Sequence, residues 1–122
     1  MKKLNNLKRL EVSLGDSEQI YIIKDMTNLE SLGISGKITT IEPLVNIANL
    51  KTLEISEINY EIKSINGLEK INELQNLTSL RLCLGQCKIE NVDFLNGNES
   101  IEKLDISNNS ITNIDVLETM KN

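Results

Sequence analysis

Histidine and tryptophan are missing from this chain of 122 residues, proline and phenylalanine occur once each, and tyrosine and cysteine twice. Without imidazole no side chain has an ordinary pKa near neutrality, and Ser-His-Asp, Cys-His and His-Glu-x-x-His arrangements cannot form. Most common hydrolytic chemistry is excluded with them. Two thiols do not complete a four-ligand zinc site in the absence of histidine, so neither a metal nor a cofactor is expected. Arg9 and Arg81 are the only arginines, and the net charge is −5. Scattered lysines make no basic stripe for phosphates, which argues against nucleic acid as a partner. No apolar run approaches the roughly 20 residues of a membrane span, so no membrane partner is expected either. Asn5, Asn6, Lys8 and Arg9 interrupt the apolar stretch that a signal peptide would need after Met1-Lys2-Lys3. As written the chain is read as cytoplasmic, with an extracellular setting if it is a piece of a longer protein.

Cys83 and Cys87 are read as reduced filler thiols; a disulfide between them would need a turn that brings their Cα atoms within about 7 Å. Arg81 and Lys88 lie close by in sequence and would favour a thiolate. No general base or oxyanion donor pair accompanies them at a recognisable spacing, so no enzyme is expected.

What is abundant is Leu and Ile, 18 and 17 residues, together with 16 Asn. The aliphatic residues fall in a repeat. A Leu-x-x-Leu-x-Leu pattern recurs as Leu7, Leu10, Val12; Leu29, Leu32, Ile34; Leu50, Leu53, Ile55; Leu77, Leu80, Leu82; and Ile101, Leu104, Ile106. Its starts lie near residues 7, 29, 50, 77 and 101, a nearly constant unit with insertions in the third and fourth copies. Between these motifs runs a second series at every third residue, for example Ile38, Ile41, Leu44, Ile47 and Ile111, Ile114, Leu117, Met120. Spacing of three suits tight 3₁₀-like returns better than an α-helix of period 3.6. No single unit buries both series, so neighbours must stack around a shared interior. The pattern predicts one domain over residues 1–122, an α/β repeat solenoid of about five units. Its concave face is a parallel β-sheet and its convex face is made of 3₁₀ and loop returns. Asn109 stands where the chain leaves the fifth strand and is suited to satisfy backbone groups there. Gly15 and Gly85 hold that place in the first and fourth copies.

These residues resemble the leucine-rich repeat family, with its LxxLxLxxNxIxxIxxLxx unit. Ile101 to Met120 fits that unit at every position. Leu29 to Leu50, with Ile41-Glu-Pro43-Leu44 and Asn49-Leu50, is similar to the bacterial internalin-type repeat of 21–22 residues. The resemblance implies a short curved horseshoe and non-enzymatic recognition of a protein through its concave face. No cap is recognisable before Leu7 or after Met120, and end-to-end self-association is an expectation that follows.

Alternation along the strands places three columns on the concave face. They are Arg9, Ser31, Thr52, Ser79, Lys103; Glu11, Gly33, Glu54, Arg81, Asp105; and Ser13, Ser35, Ser56, Cys83, Ser107. The middle column, mostly acidic and broken by Arg81, is the candidate recognition stripe, flanked by Arg9 and Lys103. The insertion after Ile55 offers a second contact, with Tyr60 as anchor among Glu57, Glu61 and Lys63. Tyr21 and Phe94 adjoin core positions and are expected to pack. The function expected is therefore a protein-binding module of unidentified partner. The alternatives are a scaffold or self-associating segment of a longer repeat protein and, on size and acidity alone, a cytosolic inhibitor or immunity protein.

Overall fold

A computed structural model describes residues 6–58, 64–84, 89–107, 109 and 111–120, with the backbone alone at Glu57. Five parallel strands form one sheet in chain order: β1 (Arg9–Leu14), β2 (Ser31–Gly36), β3 (Thr52–Ile58), β4 (Ser79–Leu82) and β5 (Lys103–Asp105). The register is the one the repeat dictates. Leu10, Leu32, Leu53, Leu80 and Leu104 lie side by side, and so do Arg9, Ser31, Thr52, Ser79 and Lys103.

The returns show why the second apolar series has period three. The amide of each apolar residue donates to the carbonyl of the apolar residue three before it: Leu44 to Ile41, Ile47 to Leu44 and Leu50 to Ile47, at 2.9–3.1 Å. The same linkage runs through Ile71, Leu74 and Leu77, and through Ile114, Leu117 and Met120. Such i to i+3 bonds make 3₁₀ turns, here at Ser17–Gln19, Glu42–Asn46, Leu68–Glu73, Asp93–Leu95 and Asp115–Thr119. The first return adds one α-helical turn, α1 (Ile20–Ile23). Asp16, Thr40, Asn91 and Asn113 start returns by accepting, on their side-chain oxygen, the amide two residues ahead at 2.8–3.2 Å. Part of the asparagine excess serves these turns.

Strand and return residues share one core. Leu32, Ile34, Leu53, Ile55, Leu80 and Leu82 from the sheet meet Ile38, Ile41, Leu44, Ile47, Ile71 and Leu74 from the returns, all at most 2% exposed. At the two ends the same repeat positions are half-buried, at Leu10 and Val12 on one side and Leu104 and Ile106 on the other. Ile114, read from the sequence as core, is 54% exposed because no further described repeat packs over it, and Val116 is buried in its return instead. Tyr21 is also a correction: it lies on the outer side of α1 and is 45% exposed, whereas Phe94 packs on the core as expected.

Asparagine also ties neighbouring units together. Asn49 Nδ2 donates to the Thr27 carbonyl and Asn76 Nδ2 to the Ala48 carbonyl, each reaching one return back. In the fourth unit a buried Asn98 replaces the aliphatic residue found at Ile47 and Leu74. Its Nδ2 donates to Asn72 Oδ1 at 2.7 Å, its Oδ1 accepts the amides of Ser100 and Ile101, and Asn72 Nδ2 donates to the Phe94 carbonyl. With its polar atoms paired, the burial costs little. Asn109 behaves as the sequence suggests. Its Nδ2 donates to the carbonyls of Leu82, Ile106 and Ser107, and its Oδ1 accepts the Leu84 amide, closing the exit of β5 against β4.

Candidate functional site on the concave sheet face

Strand alternation turns Arg9, Glu11, Glu54, Arg81, Lys103 and Asp105 to the concave side while their neighbours enter the core. The columns place Glu11, Gly33, Glu54, Arg81 and Asp105 on consecutive strands in register. Two ion-paired groups result. Arg9 Nη2 lies 2.9 Å from Glu11 Oε1 on the same strand. Arg81 spans three strands, with Nη1 at 3.4 Å from Glu54 Oε1 and Nε at 3.4 Å from Asp105 Oδ2. The stripe that reads as acidic in sequence is therefore largely compensated: Arg9 and Arg81 pair with its three carboxylates, and Lys103 adds a third positive charge near Asp105. All are solvent-accessible, so each pair contributes little to stability. Their effect is positional, because each pair restrains long side chains in one geometry.

The carboxyl of Asp105 is held below its ordinary range, first by the backbone amide of Ser107, then by the Ser107 hydroxyl, with Arg81 and Lys103 adding to it. The Arg81 guanidinium is held more firmly protonated by the adjoining Cys83 and then by Glu54. Cys83 is a half-buried free thiol on the same face. Between β1 and β3 the absence of a side chain at Gly33 leaves a shallow concavity of about 390 Å³, with Ser13, Ser31, Ser35 and Thr52 around it and Arg9, Glu11 and Glu54 at its edges. The serine column is less regular than expected. Ile34 pairs with Ile55 but Gly36 pairs with Ile58, so a bulge at Ser56-Glu57 shifts β3 by one residue where the insertion begins. Tyr60, Glu61 and Lys63, and the side chain of Glu57, lie outside the described residues, as do Cys87 and Lys88. Among the described residues no three of Cys, Asp and Glu converge as metal ligands.

One charged row was not picked out by the columns. Just before the strands, Glu30 accepts Lys8 Nζ at 3.1 Å and Lys51 Nζ at 3.0 Å, a ladder over three units. The alternation Lys8, Glu30, Lys51 at one repeat position was the available signal. Lys51 and then Lys8 hold the Glu30 carboxyl below the 4.5 of a free glutamate. A carboxyl whose folded pKa is lowered stabilises the fold above its unfolded pKa, and that contribution disappears as the pH falls through the folded value. Glu30→Gln should therefore be less stable than the parent chain at pH 7. The difference should shrink to nothing on acidification below 4.5; urea unfolding across a pH series measures it.

No family model matches the chain, and no curated protein matches it by sequence. Solved structures do. Internalin InlF from Listeria monocytogenes superposes with a TM-score of 0.74 at 25% identity, over 95% of this chain. Internalin C2 from the same species superposes with a TM-score of 0.71 at 24% identity, over 97% of it. The fold is a leucine-rich-repeat solenoid. This leucine-rich-repeat chain spans 32% of the length of the first structure and 50% of the second. In-register parallel strands joined by 3₁₀ returns are what this chain brings to the likeness.

Proposed function

We propose that this leucine-rich-repeat domain is a non-enzymatic protein-recognition module that receives its partner on the concave sheet face. The observation that supports this reading is the register that sets Glu11, Glu54, Arg81 and Asp105 in one column, with Arg81 held between two carboxylates. A guanidinium held between two carboxylates on a concave face is the kind of group that carries binding energy, since it presents several donors at little entropic cost. Balanced charge favours a partner whose own charges alternate over one that is uniformly basic. The segment with Tyr60, which follows the bulge in β3 in sequence, would supply a second contact.

The experiment compares two triple charge reversals by affinity capture with quantitative mass spectrometry. One carries Glu11→Lys, Glu54→Lys and Asp105→Lys on the concave face. The other carries Glu42→Lys, Glu69→Lys and Asp93→Lys, on the returns, and changes net charge equally. Proteins bound by the parent should fall by about tenfold or more with the concave variant and be retained by the return variant. Equal retention by both would move the site off the sheet.

A further inference from the structure

Asparagine followed by glycine occurs twice, at Asn66-Gly67 and Asn96-Gly97. Such a pair carries its own chemistry, because a glycine amide has no side chain to shield it from the preceding carboxamide. Both asparagines are exposed, and neither carboxamide makes a hydrogen bond among the described residues. What separates them is the backbone.

Asn66 is clamped. Its amide donates to the Thr39 carbonyl at 2.9 Å and its carbonyl accepts the Ile41 amide at 3.0 Å, while Gly67 is buried, with Glu42 Cγ 2.6 Å from where a Cβ would stand. Turning the peptide between Asn66 and Gly67 would break a bond to the neighbouring unit and drive the chain against Glu42.

Asn96 and Gly97 are the central residues of a type II turn, with φ −50° and ψ 123° at Asn96, φ 71° at Gly97, and the Asn98 amide bonded to the Leu95 carbonyl at 2.9 Å. The carbonyl of their shared peptide meets no donor among the described residues. Its N–H, on Gly97, donates to Thr119 Oγ1 at 2.9 Å, and the same hydroxyl donates to the Val116 carbonyl at 2.6 Å, which turns a lone pair toward Gly97. At this ψ the Gly97 nitrogen points away from the Asn96 side chain, and roughly a third of a turn of that peptide brings it to Cγ. Gly97 absorbs the counter-rotation at little cost, and a Cβ there would meet nothing within 4 Å. One side-chain bond from the following unit holds the nucleophile off its target.

We propose that Asn96 is a self-modification site whose conversion is gated by the Thr119 hydroxyl. With that bond open, the Gly97 amide nitrogen gives its proton to solvent and bonds to Asn96 Cγ; the bond from Cγ to Nδ2 breaks as the amino group takes up a proton and leaves as ammonia. Water then adds to either carbonyl of the cyclic imide and opens it to aspartate or isoaspartate at position 96. The fourth return gains a negative charge, and the isoaspartyl form adds a backbone atom to the turn that presents Asn98, the residue tied to Asn72.

Peptide mapping by mass spectrometry, during incubation of the folded chain in mildly alkaline buffer, tests this. Loss of ammonia and then gain of water should accumulate at Asn96 several-fold faster than at Asn66. Thr119→Val keeps the side-chain shape without the hydroxyl and should accelerate conversion at Asn96 by about threefold to tenfold. Thr119→Ser should keep the parent rate. Asn66 in the same molecule reports on general loosening of the fold, so its rate should be the same in all three proteins. Equal rates at the two sites in the folded parent, no acceleration by Thr119→Val, or acceleration at both sites together would each overturn the proposal.

Discussion

Leu53→Ala should lower the free energy of unfolding by about 3–5 kcal/mol, a large fraction of the roughly 5–15 kcal/mol that holds a typical domain folded. Leu53 is fully buried at the centre of the stack, in register with Leu32 on one side and Leu80 on the other. The units on both sides are pinned by the same ladder, so the cavity left by the missing methyls does not collapse, and both the transfer and the cavity costs remain. Leu10 occupies the same repeat position at the end of the stack and is half-buried. Leu10→Ala should cost about half as much, because less of its area is buried in the first place. Urea titration of both variants, followed by circular dichroism, gives the comparison. Equal losses would mean that the interior and end units are packed alike.

Gly36→Ala should destabilise the protein by about 2–4 kcal/mol, although it adds a single methyl group. Gly36 has φ of +90°, a region that side chains rarely adopt, and a Cβ there would sit 2.4 Å from the Leu14 carbonyl oxygen and 3.0 Å from the Leu14 amide nitrogen. Neither backbone atom can turn aside as a flexible side chain could. Relief would require parting the ends of β1 and β2, where Leu14 pairs with Gly36. Gly97 separates the two contributions. Its φ is +71°, but a Cβ added there would meet nothing within 4 Å. Gly97→Ala should therefore show the backbone cost alone, about 1–2 kcal/mol. If the two variants lose the same stability by thermal and urea unfolding, the close approach at Leu14 contributes nothing.

The repeat made the architecture readable. Fifteen aliphatic positions at fixed spacing define which residues enter the core, and period two along the strands then fixes Glu11, Glu54, Arg81 and Asp105 on one face. What spacing does not carry is how side chains meet across units. The span of Arg81 from Glu54 to Asp105 depends on rotamers and strand separation, and it pairs charges that the sequence only places on the same face. The bulge at Ser56-Glu57 breaks the serine column because an added residue in one strand changes register locally, which no alignment of aliphatic positions reveals. Ile114 fits the apolar pattern and Tyr21 adjoins it, yet both lie exposed. Ile114 has no described unit beyond it, and Tyr21 is one position away from the buried face of α1 occupied by Ile20 and Ile23. Asn98 is the converse: a polar residue at a core position, readable as such only once Asn72 is seen beside it.

The asparagine ties have a mechanical consequence. Asn49, Asn76 and Asn98 each bind the unit before their own, across 22 to 28 residues of sequence, and the strand ladder likewise joins only adjacent units. Tension applied at the two ends of the chain meets these bonds a row at a time, since no described element clamps distant units together. Such a stack yields to tension by peeling unit from unit, whereas a fold whose terminal strands pair directly would have to shear a whole ladder at once.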